Sequence, residues 1–255
     1  LMMWRRCSSV CAAMACPNGW FPAWNTAGSA MPADLSPTMR DYLAQIYRLS
    51  DRSDELGAGY IGTSALADLL DVSAPAVNRM ITKLKDAGLL EHEPYQGIRL
   101  TPAGRRMALQ VLRRHRIAEA FLVNVMGFKW HEVHAEADLM AQGLSDKLAE
   151  RMAAMAGHPT TCPHGEPIPT PDGDLPPMND FLLAGAPPDT ELEITRVRTR
   201  EPDRLEYLAA LGLLPGTRLT VIHAAPFHGP LQLRVGSEYR IIGYNLAQLI
   251  RVKLV

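Results

Sequence analysis

Cysteine is almost missing from most of this 255-residue chain: Cys7, Cys11 and Cys16 fall in the first sixteen residues, and only Cys162 lies beyond them. A lone thiol cannot build a disulfide framework, so the body of the chain must be held by an apolar core, as in proteins of a reducing cytoplasm. Long apolar runs are missing too. No stretch approaches the ~20 residues that a membrane helix needs, so no membrane partner is expected. An excess of either charge is also lacking: 26 basic and 27 acidic residues leave a formal net charge of -1, and the total implies no partner. Finally, nothing resembles a nucleophile motif or a phosphate-binding loop, which argues against an enzyme, including a metal-dependent hydrolase.

The distribution of charge says more than its sum. From Ser73 to Arg116 there are nine Lys/Arg against three acids, and from His131 to Thr190 two bases against ten acids. A basic section followed by an acidic one suggests an anion-binding module joined to one that holds cations. The length allows two or three small domains, and 47% hydrophobic residues can give each a core. Residues 1–33 have no helical or strand period and read as a disordered extension or as sequence upstream of the natural start, with Met31 opening the folded part.

Residues 34–104 read as a winged helix-turn-helix. Ser36 and Pro37 open a helix through "TMRDYLAQIYRLS", with Tyr42, Leu43, Ile46 and Tyr47 at helical spacing. After the glycine-rich "ELGAGYIG", helices are expected over 63–70 and 73–87, joined by a turn at "DVS". The second starts with the small residues Ser73, Ala74, Pro75 and Ala76, then presents Asn78, Arg79 and Lys83. Small residues at a helix start let it enter a major groove while its amides meet phosphates. "LLEHEPYQGIRL" forms two short strands about a turn, a wing that offers Tyr95 and Arg99 to DNA.

Residues 105–158 read as a helical domain. A long helix capped by Thr101 carries His115 and Glu119 one turn apart, and "HEVHAEADLMAQ" repeats the pattern with His134 and Asp138. Residues four apart share a helix face and can close on one ion. Two such pairs on consecutive helices point to a divalent cation. A further helix, "LSDKLAERMAAMAG", has Leu144, Leu148, Met152 and Met155 as an apolar stripe.

"MRDYLAQIY", "SAPAVNRMITKLKDAGLL", "RRHRIAEAFL", "EVHAEA" and "HPTTCPHGEPIP" together resemble the diphtheria toxin repressor and manganese transport regulator family of metal-dependent transcription factors. The resemblance implies a mainly α chain with a small β part: a winged helix, a helical metal-binding and dimerisation domain, and a C-terminal SH3-like barrel. It implies a homodimer that binds double-stranded DNA at a palindromic operator when a metal closes it. It assigns His115, Glu119 and His134 to an ancillary site, with Glu201 contributed by the barrel, although Arg204 stands where a Gln would assist. Asp41 and Asp138 match ligands of the primary site, whereas Ala141 and Gln142 replace a Glu and a His. That leaves Asp41, Asp138 and the Gln142 amide as a weak second or merged site of hard oxygens. Imidazole and carboxylate donors suit Mn(II) or Fe(II), and Zn(II), Co(II) or Ni(II) would bind in vitro. A winged-helix regulator answering a non-metal signal, with a degenerate metal site, is the alternative.

Nine prolines between His158 and Pro188 suggest an extended tether over 159–188. Within it Cys162 and His164 read as part of a packed loop, because no second ligand pair is near in sequence. Residues 189–255 alternate short apolar strands with one helix, "EPDRLEYLAALGLLPG", and resemble the SH3-like domain of iron-transport accessory proteins. His223 and His228 are expected at its surface.

Overall fold

The computed structural model describes residues 35–53 and 59–255. The expectations for residues 1–33 and for part of the glycine-rich loop lie outside them. Helix α1, Pro37–Ser53, starts where Ser36 Oγ accepts from the Met39 amide at 3.2 Å. It buries Tyr42, Leu43, Ile46 and Tyr47 against α2 (Thr63–Leu70) and α3 (Ala74–Asp86). The turn between α2 and α3 has Asp71 in the left-handed region, φ 51°, which Asp tolerates better than most residues.

Strands β1 (Leu90–Glu93) and β2 (Gly97–Leu100) pair antiparallel, with Glu91 opposite Arg99, and form the expected wing. Gly97, at φ 115°, lies against the 59–62 segment. A Cβ there would sit 2.2 Å from the Ile61 carbonyl oxygen, whereas glycine lets Ile61 and Ile98 exchange backbone hydrogen bonds at 2.9 Å.

Helix α4, Pro102–Asn124, is capped as expected, Thr101 Oγ1 accepting from the Gly104 amide at 3.0 Å. It belongs to two cores. Met107, Leu109 and Leu112 pack with the winged helix, whereas Ile117, Ala118 and Leu122 pack with α5 (Val133–Gly143) and α6 (Asp146–Met155). His115 and Glu119 therefore stand at the boundary between the cores. The expected stripe on α6 is half inward: Leu144 and Met152 are buried, but Leu148 and Met155 are exposed.

The proline-rich segment is not an extended tether but packs along α4. Proline removes amide donors and leaves carbonyl acceptors, and α4 supplies the missing donors. Arg116 donates to the Pro167 carbonyl and Arg113 to that of Pro169, each at 2.6 Å. Arg113, Arg114 and Arg116 also pair with Glu150, Asp146 and Glu166. Three charges of the basic section are thus spent inside the protein and not on DNA.

The C-terminal part is a six-stranded antiparallel sheet in the order β3-β8-β4-β5-β6-β7. Its strands are β3 (Phe181–Leu182), β4 (Glu191–Val197), β5 (Arg218–Ala224), β6 (Leu231–Val235), β7 (Glu238–Ile242) and β8 (Ile250–Leu254), with α7 (Pro202–Ala210) and the short α8 (Tyr244–Ala247). Leu183, Leu192, Ile194, Leu205, Leu208 and Val252 centre its core. β3 and Leu183 already belong to it, so the segment read as a tether feeds directly into the sheet. His223 and His228 are exposed as expected.

Candidate metal centre

Helical spacing puts His115 and Glu119 on one face of α4, with His115 Nε2 2.9 Å from Glu119 Oε1. α5 brings His134 to the same oxygen, its Nδ1 at 2.6 Å, and the His115 and His134 rings stack nearly parallel. The proline-rich segment adds His164, whose Nδ1 is 3.8 Å from Glu119 Oε1 and 3.8 Å from Cys162 Sγ. Among the described residues, two groups of three potential ligands result: His115, Glu119 and His134, and Glu119, Cys162 and His164. They share Glu119, which is 2% exposed.

The arrangement could hold a cation. Both ring nitrogens of His134 are buried without a hydrogen bond; the short approach of Nδ1 to Glu119 lacks the alignment of one, and we read it as crowding of donors around a shared centre. His164 Nε2 lies 2.7 Å from the Trp130 carbonyl, so that nitrogen carries the proton and leaves the Nδ1 lone pair facing Glu119 and Cys162. Asp138 Oδ1 lies 3.1 Å from His115 Nδ1, so the His115 ring is held between two carboxylates, with Nε2 on Glu119. Burial opposes ionisation of Glu119, but the charge and hydrogen bond of His115 and the His134 and His164 imidazoles hold its carboxyl well below the usual range. Burial also lowers His134, against the pull of Glu119, so its imidazole is neutral and open to coordination. Burial and Glu119 push the Cys162 thiol well up.

The other expected ligands are placed differently. Glu201 precedes α7, mostly exposed and making no side-chain cap, and pairs with Arg204 at 2.7 Å; the Arg at the position of a Gln draws this carboxylate to itself. Asp138 has both oxygens engaged, one by His115 and the other by Arg200 of the barrel at 2.5 Å. Asp41, Asp138 and Gln142 do line one cleft, but beside Arg40, Arg48 and Arg114. Neither Asp41 nor Glu201 belongs to either group of three. Sequence reasoning passed over Cys162 and His164 because their partner, Glu119, is distant along the chain.

On the winged helix, Ser73, Ala74, Pro75, Asn78, Arg79 and Lys83 are exposed along one side of α3, with Ala76 partly covered. Tyr95 stands free at the wing tip, at φ 67°. Arg99 is braced by Glu91 at 2.5 Å and lies over the Tyr60 ring, and so supports the wing.

Three family models cover most of the chain: "Iron dependent repressor, N-terminal DNA binding domain" over residues 34–98, "Iron dependent repressor, metal binding and dimerisation domain" over 101–170, and "FeoA domain" over 181–254. The iron-dependent repressor IdeR of Mycobacterium bovis is 30% identical over 235 residues, 87% of this chain and 99% of that protein. The chain belongs to the iron-dependent repressor family. The diphtheria toxin repressor of Corynebacterium efficiens is 28% identical over 74% of the chain and 85% of its own length. Among solved members, a manganese-dependent transcriptional repressor in complex with manganese superposes with a TM-score of 0.76 at 32% identity, covering 85% of this chain and 100% of that one. ScaR with bound zinc gives 0.72 at 31% identity, covering 85% and 99%. In this member of the family, the cluster described above lies within the stretch matched by the metal-binding and dimerisation model.

Proposed function

We propose that the protein is a metal-activated, DNA-binding transcription repressor of metal-ion homeostasis, acting in the cytoplasm as a homodimer on a palindromic operator. The observation that carries this reading is the buried cluster around Glu119, at the point where α4 leaves the winged-helix core. His115, Glu119 and His134 hold the ion, and Cys162 and His164 complete its surroundings from the proline-rich segment. A bound divalent cation would supply positive charge that fixes three imidazoles and a carboxylate in one arrangement. The residues do the rest: α4 carries the constraint from His115 and Glu119 to the core that holds α3, and Asp138 and Arg200 tie the same point to the barrel.

Relatives named for iron and manganese dependence support Mn(II) or Fe(II) as effector, and the zinc-bound ScaR supports binding of Zn(II); Co(II) and Ni(II) would bind in vitro by the usual affinity order. The Cys162 thiol broadens the donor set toward softer ions. Leu139, Leu148 and Met155 are 68%, 52% and 66% exposed on α5 and α6, an apolar surface suited to a second copy. We divide the chain into a DNA-binding part at 34–104, a metal-binding and dimerisation part at 105–158, a proline-rich connection at 159–188 and a barrel at 189–255. Two α3 helices about one DNA turn apart, roughly 34–36 Å, would read the half-sites. Metal shifts the population toward the arrangement that fits, by no more than its differential affinity for it.

Fluorescence anisotropy of a labelled operator at fixed salt, with chelator and then with Mn(II), Fe(II) or Zn(II), tests the reading. Binding should appear only with metal and be lost in His115→Ala and His134→Ala while the dimer stays folded. Equal binding with chelator would overturn it and favour a non-metal signal.

A further inference from the structure

Beside the metal cluster, α1, α4 and α5 enclose the cleft where the family resemblance places a second cation site, and its lining does not fit a cation. Asp138 has given its two oxygens to His115 and Arg200, and Ala141 offers no donor. Only Asp41 and the Gln142 amide remain, and they share the cleft with the guanidinium groups of Arg40, Arg48 and Arg114. Arg114 is paired through Nε with Asp146 at 2.8 Å. Arg40 Nε is buried without a hydrogen bond. Among the described residues, no hydrogen bond or ion pair holds Arg48.

Among the described residues, neither guanidinium group has a carboxylate within bonding distance, and the buried Arg40 Nε forfeits its hydrogen bond with water. Burial, then repulsion by Arg200 and Arg116, lowers Arg48 to about 10 against the pull of Glu119 and Asp138, so it stays charged at neutral pH. Arg40, Ala44 and Arg48 follow one another at intervals of four along α1, so both forks rise from one face over a small methyl group. The cleft holds about 60 Å³, where a single water needs roughly 10–15 Å³. That suits a group of a few heavy atoms and not a nucleotide.

We propose that this cleft is an anion site that takes a small oxyanion, a phosphate or a carboxylate, between Arg40 and Arg48. Planar guanidinium forks match the oxygen pairs of either group. Of the acids that face Arg48, Asp138 is engaged by Arg200 and His115, Glu166 by Arg116, and Glu119 by the imidazoles of the metal cluster, while Asp146 is paired with Arg114 and Asp41 stands at the rim. Bound there, an anion would link α1 of the DNA-binding part to α4, the connection that a second metal would otherwise make. The inference goes beyond the proposed function and does not depend on it.

The test is isothermal calorimetry on the full chain after treatment with chelating resin, at constant ionic strength in chloride, titrating inorganic phosphate and, separately, acetate. At least one anion should give saturable heat that weakens at least tenfold in Arg40→Gln and in Arg48→Gln and is unchanged in Arg79→Gln, which would weaken an anion site on α3. Arg40→Gln lies near the start of α1 and decides the matter should Arg48→Gln fail to fold. Saturation by phosphate alone or by acetate alone supports the site and tells its ligand class. Absence of saturable heat from either, or heat that survives Arg40→Gln undiminished, overturns it.

Discussion

Glu119→Gln keeps the shape of the side chain and removes the charge on which the candidate centre converges. Oε1 is approached by His115 Nε2 at 2.9 Å, His134 Nδ1 at 2.6 Å and His164 Nδ1 at 3.8 Å, so both groups of three lose their shared anion at once. One contact to a charged group contributes about 1.5–3 kcal/mol. Because both groups draw on this carboxylate, we expect the upper end, about 100-fold in metal affinity at ~1.4 kcal/mol per tenfold. Cys162→Ser removes a donor from one group only, and should cost roughly tenfold. The two variants also differ in pH dependence. The Cys162 thiol is pushed well up by burial and by Glu119, so coordination through sulfur must expel a proton and affinity rises with pH; Cys162→Ser flattens that rise, whereas Glu119→Gln keeps it but shifts it toward lower pH. Competition with a chromophoric chelator measures affinity for Co(II) and Mn(II), and the Co(II)–thiolate absorption reports sulfur directly. Affinity of Glu119→Gln within about threefold of wild type, under 1 kcal/mol, or a larger loss in Cys162→Ser than in Glu119→Gln, would refute the shared-carboxylate reading.

Asp180, 1% exposed, accepts from Arg196 at 2.9 and 3.0 Å, Arg251 at 2.6 Å and Thr195 at 2.8 Å. Burial opposes its charge, but Arg196, Thr195 and Arg251 hold its carboxyl below the ordinary 3.8. A depressed folded value means that this stability is present above about pH 4 and is lost as pH falls further. Asp180→Asn should cost roughly 1.5–3 kcal/mol at neutral pH by removing the carboxylate that Arg196 and Arg251 share, and calorimetric melting should show a shallower acid limb; equal melting at pH 7 would count against the network. On the winged helix, Arg79→Ala should weaken operator binding by about 1–3 kcal/mol, and Lys83→Ala should lower the salt slope by about one. Anisotropy across a salt series checks both, and an unchanged slope together with unchanged affinity would remove α3 as the reading helix.

The winged helix and the helix carrying His115 and Glu119 were legible in the sequence because local signals determine them. Helical spacing of Leu43, Ile46 and Tyr47, the Thr101 cap, small residues at the start of α3 and alternation in the wing need no distant partner to be read. The His and carboxylate pairs were legible for the same reason, since spacing of four determines a shared face. What joins that face was decided by tertiary structure. Cys162 and His164 come to Glu119 only because α4 arginines satisfy the proline-segment carbonyls and hold it against the helix. Asp138 has a ligand's position in sequence, yet becomes a bridge between His115 and Arg200 because the barrel sets a guanidinium beside it. Glu201 is drawn to its neighbour Arg204 in the same way. Sequence spacing thus determined which donors each helix offers, and packing determined which oxygens were left for a cation, because every guanidinium brought close by folding competes with a metal for the same carboxylates.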